Sequence, residues 1–144
     1  MTTIHREAVV NYPDHKMFQL VSDVEHYPDF LPMCESIEIH QDGQEQTKAT
    51  MHVKKAGITL ALTTQNDKHY PDAIDLTLID GPFKSLTGQW RFYRIDQTSS
   101  KISLDLNFEF SNKLMAMAIG PVFNKLANMM LDAFCQRAKD VYGS

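Results

Sequence analysis

The sequence predicts an α+β domain in which one antiparallel sheet packs against a long C-terminal helix. Residues 112–144 form the one long segment with helical periodicity. Between residues 34 and 110 apolar and polar residues alternate with a period of two, which is typical of strands with one buried face. A short helical segment near residues 13–25 follows a first strand. The helix needs a large apolar surface to cover, and the sheet is the surface that this chain offers.

The length and composition are those of one folded domain spanning residues 1–144. The chain is 43% hydrophobic and 22% charged, with a formal net charge of −4. That acidic balance argues against DNA binding through a broad basic surface. Cys34 and Cys135 lie far apart without a CxxC spacing, so two reduced thiols are expected. Because no signal peptide or apolar run of membrane-spanning length is recognisable, we expect a cytoplasmic protein without an integral membrane segment.

The N-terminal part is predicted to hold a strand and then a short helical insert. The first strand covers Ile4–Val10, which ends in Ala-Val-Val. Pro13 suits the first helical position, where a missing N–H costs no hydrogen bond, and Asp14 complements the helix dipole. Pro28 and Pro32 restrict the following segment to one further turn.

Six strands are predicted next, each with one apolar and one polar face. Their alternating apolar residues lie within 37–39, 49–53, 58–64, 74–78, 86–92 and 102–110. Glycine, proline or polar residues typical of turns separate the six segments. Such strands form an antiparallel meander with one solvated side.

The C-terminal helix carries a wide apolar face. At about 100° per residue, this face contains Phe123, Ala127, Met130, Phe134, Ala138 and Val141. Half of the eight methionines lie in the helix, and Gly120-Pro121 is expected to interrupt it, so that residues 113–121 can move as a cover. Since methionine adapts to irregular shapes, the sequence allows two interpretations: a cavity under the helix, or methionines that simply fill the core.

No catalytic or metal-binding set is recognisable in the sequence. The six histidines lack the spacing of metal ligands, and no HExxH, CxxC, GxSxG or glycine-rich phosphate loop occurs. We therefore predict no catalytic residues, no metal site and no required cofactor.

Several segments resemble the coenzyme-Q-binding START-like family, which is also described as polyketide cyclase/dehydrase-like. Residues 18–32, FQLVSDVEHYPDFLP, are similar to its FxLVxDVExYPxFLP signature. Residues 80–92 resemble its DGPFKxLxGxWxF block, and 108–114 and 137–142 resemble its FEFxNKL and RAxxVY segments. The resemblance covers nearly the whole chain. It implies a helix-grip fold of the START and Bet v 1 type, with a seven-stranded antiparallel sheet wrapped around the C-terminal helix.

The resemblance implies two functions for a non-enzymatic protein. Mitochondrial members bind coenzyme Q in a cavity, which suggests that this chain binds ubiquinone or a similar polyprenyl lipid and supports respiration. Bacterial members include a ribosome-association toxin that binds the large ribosomal subunit and blocks its joining with the small one. Residues 55–58, KAGI, are similar to the bacterial form. A cyclase or dehydratase activity is a third interpretation that only the family label favours.

Candidate residues follow for both functions. From the apolar residues of the strands and helices we predict ten ligand-binding residues: Phe30, Leu62, Leu78, Trp90, Phe92, Leu106, Phe108, Met117, Phe123 and Met130. From the basic residues on strands and turns we predict five ribosome contacts: Lys48, Lys54, Lys55, Lys84 and Arg91. We also predict an ion pair between Arg137 and an acidic residue of the helical insert, preferably Asp23.

Overall fold

One sheet of seven antiparallel strands forms the body of the protein. The computed structural model describes residues 1–143. The strands are β1 (Thr2–Val10), β2 (Cys34–Asp42), β3 (Gln46–Lys55), β4 (Ile58–His69), β5 (Ala73–Asp80), β6 (Phe83–Arg94) and β7 (Ser100–Phe110). Their order in the sheet is β1-β7-β6-β5-β4-β3-β2. Sequence neighbours therefore pair throughout the six-strand meander, and β1 closes the far side by pairing with β7. The predicted strands and the α+β helix-grip fold are confirmed.

The helical insert lies between β1 and β2. It consists of α1 (Asp14–Ser22) and a 3₁₀ segment (Val24–Asp29) that contains Pro28. Pro13 precedes the first helical residue instead of occupying it, and its backbone is extended. The insert buries Met17, Phe18 and Val21 against the core, so it is anchored by packing as well as by its connections.

The C-terminal helix α2 (Lys113–Tyr142) is continuous, so the predicted interruption at Gly120-Pro121 is wrong. The Asn112 side chain begins the helix by accepting a hydrogen bond from the Met115 N–H at 2.9 Å. Pro121 lies on the exposed side, where the carbonyl that it leaves without a helical partner can bind water. The helix therefore accommodates the proline without breaking.

The central part of α2 packs on the concave face of the sheet through aromatic rings. Phe123 lies 4.8 Å from the ring centroids of both Phe83 and Phe108. Phe134 is fully buried and lies 5.1 Å from Trp90, in an edge-to-face arrangement. Most of the predicted apolar face is accordingly buried, whereas Val141 is 50% exposed because the last turn extends beyond the sheet contact.

By length and composition alone, α2 is apolar enough to cross a membrane. A core helix meets the same criterion, and the aromatic contacts of Phe123 and Phe134 give α2 that role in this fold.

Candidate functional site

A small apolar cavity lies between α2 and the concave face of the sheet. Its first lobe has a volume of about 50 Å³. The sheet supplies its floor and α2 supplies its roof. Its apolar lining comprises Met51, Leu62, Leu76, Leu86, Trp90, Leu104, Leu106, Phe123, Leu126, Ala127 and Met130. Gly88 widens the floor, because a side chain there would meet Leu106.

A second lobe of about 40 Å³ adjoins the first beneath the helical insert. The two lobes share Met51, Thr64, Leu76, Trp90 and Met130 as lining residues. The second lobe is more polar, since Thr47, Thr64 and Asn66 line it together with apolar residues of β3 and of the insert. The cavity thus has one apolar end and one end with hydrogen-bonding groups.

Half of the predicted ligand-binding residues line this cavity. They are Leu62, Trp90, Leu106, Phe123 and Met130. Their proximity to the cavity agrees with the inward-facing pattern of the sequence, but binding by these residues stays a prediction.

The other half lies elsewhere, for reasons that the packing makes clear. Phe30 packs against Phe134 outside the cavity, and Phe92 packs against Phe18 of α1. Phe108 is enclosed by other phenylalanines, including Phe83. Those three side chains pack against other aromatic rings, and none of them lines the cavity.

Leu78 and Met117 also lie outside the cavity. Leu78 is half-buried and lies beside the β5–β6 turn, close to Gly81. Met117 is 78% exposed, because it lies on the solvent-facing side of α2 together with Leu114 and Pro121.

The predicted cover also differs from the observed one. The part of α2 that roofs the cavity is the stretch from Phe123 to Met130, not residues 113–121. In the earlier stretch, Ile119 and Gly120 are buried, with Gly120 placed close to the ring of Phe110.

Sequence reasoning missed the polar lining residues, above all Asn66. The inward row of β4 begins with Leu60 and Leu62 and continues through Thr64 to Asn66. The alternation therefore contained the signal that Asn66 points inward. The polarity of Asn66 concealed this signal, because a polar side chain is not expected on the buried face of a strand.

The buried titratable groups near the cavity are held neutral. Burial raises the pKa of the Cys34 thiol to about 11, and it also raises the pKa of Cys135. The pKa of Tyr27 is raised by burial as well, and its hydroxyl donates a hydrogen bond to the Val21 carbonyl. These groups are thus suited to packing at neutral pH, and both cysteines are free thiols.

Within residues 1–143, Asp23, Glu25 and His26 bring their potential metal-ligand atoms within 4.8 Å of one another. All three residues are exposed, and a hydrogen bond of 2.7 Å between His26 Nδ1 and Asp23 Oδ2 accounts for their proximity. We assign no metal to this group.

Basic residues gather at one end of the sheet. This end contains the β3–β4 turn, the β5–β6 turn and the start of α2, as the antiparallel register requires. We call this end the lysine end. Its lysines are Lys54, Lys55, Lys84, Lys113 and Lys125.

Carboxylates neutralise the lysine end only in part. Lys54 lies 3.9 Å from Glu35, and Lys84 lies 3.7 Å from Glu109. Contact with the Lys125 ammonium, together with some desolvation, lowers the pKa of Lys55. Among residues 1–143, Lys55, Lys113 and Lys125 have no carboxylate oxygen within 4.0 Å. Like charges held together in this way attract an anion.

The predicted ribosome-contact residues separate into two groups. Lys54, Lys55 and Lys84 belong to the lysine end, whereas Lys48 and Arg91 lie towards the opposite end of the sheet. Arg91 there donates a hydrogen bond of 2.6 Å to Gln89. The predicted set therefore forms two clusters, and its contact with a ribosome stays a prediction.

Arg137 makes a different ion pair from the preferred one. Its Nη2 lies 4.0 Å from Asp29 Oδ2, and its guanidinium lies 5.1 Å above the ring of Phe30. The Asp23 carboxylate instead forms a hydrogen bond with His26, three residues further along the insert. The acidic partner thus does come from the insert, but the choice of Asp23 was wrong.

Known proteins resemble this chain over nearly its full length. Residues 10–135 match the family described as "Polyketide cyclase / dehydrase and lipid transport". The Ribosome association toxin RatA of Vibrio cholerae is 41% identical over 99% of both chains. The protein of the same name from Escherichia coli K12 is 44% identical over 100% of this chain and 91% of its own length.

More distant proteins also match this chain. The mitochondrial Coenzyme Q-binding protein coq10 of Schizosaccharomyces pombe is 26% identical, over 89% of this chain and 81% of its own. The crystal structure of the Zhui aromatase/cyclase from Streptomyces sp. R1128 superposes with a TM-score of 0.82 at 19% identity, covering 96% of this chain and 93% of that one. Since a family model spans most of the sequence and full-length relatives exceed 40% identity, the chain belongs to the polyketide cyclase/dehydrase and lipid transport family.

Proposed function

We propose that this chain is a ribosome-associating toxin of the RatA type. The observation that carries the proposal is the identity of 41% and 44% to proteins of that name, over nearly the whole of each chain. In this proposal the protein acts in the cytoplasm by binding and not by catalysis. It needs no cofactor for that action.

The lysine end supports the proposal physically. Ribosomal RNA presents phosphates, and a protein that binds it gains affinity by replacing condensed counterions with lysine side chains. Lys55 and Lys125 are held next to each other without a carboxylate partner among residues 1–143, so they are available to an RNA phosphate. The acidic net charge of −4 is compatible with this, because five of the 14 basic residues lie together at this end. Bound to the large subunit, the protein would hinder its joining with the small subunit.

Sucrose-gradient sedimentation tests the proposal. Purified protein is added in excess to separated ribosomal subunits, and the magnesium concentration is then raised to allow their joining. We expect fewer 70S particles, more free subunits, and protein that sediments with the large subunit. Heat-unfolded protein is the control for non-specific effects. Unchanged 70S formation at excess folded protein rejects the proposal.

A second function, binding of an apolar ligand such as a polyprenyl quinone, is favoured by the two-lobed cavity. Lobes of about 50 Å³ and 40 Å³ are small beside the roughly 300–1,000 Å³ of a typical ligand pocket. A long ligand therefore requires α2 to move away from the sheet. Met51 and Met130, at the junction of the lobes, have the flexible side chains that such a change needs.

Lipid extraction tests this second function. The protein is purified from its own cells under non-denaturing conditions, and the extracted lipids are identified by mass spectrometry. Recovery of a stoichiometric quinone or prenyl lipid supports ligand binding. Repeated recovery of protein without lipid, together with no uptake of added ubiquinone, excludes it. The two functions are compatible, since a ligand under α2 could alter the position of Lys125.

A further inference from the structure

Asn66 places a buried hydrogen-bond acceptor without a partner in the wall of the second lobe. The residue lies in β4, opposite Thr47 of β3 and Leu76 of β5. It is 8% exposed. Its Oδ1 atom is buried and accepts no hydrogen bond from any of residues 1–143. A buried polar atom in this condition is rare in native proteins and costly, because it has lost its water without replacement.

Neighbouring hydroxyl groups do not supply the missing donor. The hydroxyl of Tyr27 donates to the Val21 carbonyl, and the hydroxyl of Thr47 donates to Asp42 at 3.1 Å. Both groups line the same lobe as Asn66. Because Asn66 is itself a lining residue of this lobe, a molecule inside the cavity is the remaining source of a donor for Oδ1.

The rest of the cavity restricts what that molecule can be. The first lobe is lined almost wholly by apolar side chains, including Leu62, Leu106 and Phe123. A body that fills it must be apolar, since a polar body would leave its own groups unpaired. The combination calls for an apolar molecule with a hydrogen-bond donor at one end only.

We infer that Asn66 selects the ligand of this cavity by accepting a hydrogen bond from a terminal hydroxyl group. The inference rests on the proposed ligand-binding function and names the class of ligand: an apolar alcohol, phenol or quinol whose body lies in the first lobe. The Nδ2 group of Asn66 can donate to a carbonyl, but a carbonyl-bearing ligand such as a quinone leaves Oδ1 without a donor. A hydroxyl-bearing ligand is the form that satisfies this buried atom.

Three aromatic probes with the same number of carbon atoms separate these possibilities: 4-ethylphenol, acetophenone and ethylbenzene. The first carries a donor, the second carries an acceptor and the third carries neither. Dissociation constants are measured by ¹H–¹⁵N NMR titration of the full chain, and shifts at cavity residues locate the bound probe. Wild type is compared with Asn66→Leu, which has nearly the same side-chain shape without polar atoms.

The decisive quantity is the ratio of the ethylbenzene to the 4-ethylphenol dissociation constant. Differences in probe hydration cancel when this ratio is compared between two proteins. We expect it to fall about tenfold from wild type to Asn66→Leu, the size of one buried hydrogen bond. The control is Asn107→Leu, the same change on the outer face of β7, where the Asn107 side chain accepts a hydrogen bond from Thr3. It should leave the ratio unchanged.

Other outcomes overturn the inference in distinguishable ways. An equal ratio in wild type and Asn66→Leu means that Asn66 is satisfied by water and selects nothing. A dependence on Asn66 for acetophenone instead of 4-ethylphenol assigns the donor to the protein and overturns the hydroxyl preference. Failure of all three probes to bind wild type overturns the inference, whereas rejection of the ligand-binding function itself also requires the failure to take up ubiquinone. Asn66→Ala takes the place of Asn66→Leu if the latter does not fold.

Discussion

Gly88 of β6 and Leu106 of β7 face each other so closely that residue 88 has no room for a side chain. They are register partners, and a Cβ at residue 88 would lie 2.7 Å from Leu106 Cδ2 and 3.3 Å from the Asp105 carbonyl oxygen. Both residues line the first lobe. The absence of a side chain at this one position is therefore part of what keeps the cavity open.

Replacing Gly88 with alanine should reduce both the cavity and the stability. The new methyl group forces the Leu106 side chain to move, and the nearest free space is the cavity. Overpacking of this kind costs about 1–3 kcal/mol. We expect a lower urea midpoint with an unchanged slope, and weaker binding of ethylbenzene in NMR titration.

Gly43→Ala is the matched control for this prediction. A Cβ at residue 43 would lie 3.5 Å from the Gln46 carbonyl oxygen, an ordinary contact on the surface. Its stability and binding should equal those of wild type. Gly88→Ala protein with wild-type stability and full binding would show that the cavity adapts without cost.

Arg137 and Asp29 connect the end of α2 with the helical insert. Because Asp29 is largely exposed, their pair at 4.0 Å should contribute little, about 0.5 kcal/mol. Stacking of the guanidinium on Phe30 adds a similar amount. Arg137→Met should therefore lower the free energy of unfolding by about 1 kcal/mol, as measured by urea denaturation.

A double-mutant cycle identifies the partner of Arg137. Asp29→Asn combined with Arg137→Met should show a coupling energy of a few tenths of a kcal/mol. Asp23→Asn combined with Arg137→Met is the control and should be additive. Coupling to Asp23 in place of Asp29 would contradict the geometry.

The fold could be predicted from sequence because its two periodicities persist despite register shifts in three strand pairs, β2–β3, β4–β5 and β6–β7. Each strand from β2 to β7 keeps one apolar face, and α2 is the only segment with a long helical period. An apolar sheet face and an apolar helix face have few alternatives to packing on each other. The sheet order follows from the same pattern, since short turns join neighbours in a meander.

Only half of the residues predicted for the site line the cavity. Periodicity shows which side of its strand or helix a residue faces, but it does not show which residues of the other element pack against it. Leu106 and Phe108 both face inward from β7, yet only Leu106 lines the cavity while Phe108 is enclosed by other rings. That difference depends on where α2 crosses the strands. Met117 failed for a different reason: the helical period places it with Leu114 and Pro121 on the exposed side of α2.

His26 should titrate above the usual range of histidine. Its hydrogen bond to Asp23, followed by the charge of that carboxylate, raises the pKa of His26. Since the folded pKa exceeds the unfolded value, the bond stabilises the fold below the unfolded pKa of about 6.5 and loses this effect as pH rises through the folded pKa. NMR titration of the His26 ring protons measures the shift.

Asp23→Asn is the test variant for this titration. It should move the His26 midpoint back towards the unperturbed value, because the largest cause of the shift is removed. Asp140→Asn, an exposed change on α2, is the control and should leave the midpoint in place. An identical midpoint in wild type and Asp23→Asn would exclude the pair in solution.

Charge reversal at the lysine end should weaken ribosome association more than the same change at the opposite end of the sheet. Lys55 and Lys125 adjoin each other without a carboxylate neighbour among residues 1–143. Reversing both to glutamate replaces two phosphate-attracting charges with repulsive ones. We expect at least about a tenfold loss of co-sedimentation with the large subunit, and a salt dependence that is less steep by roughly two counterions.

Lys48→Glu with Arg91→Glu changes the net charge equally, at the other end of the strands. If bulk charge alone governs binding, both double variants lose the same affinity; if the lysine end is the contact, only the first does. Equal losses would therefore reject the lysine end while leaving ribosome association itself in place.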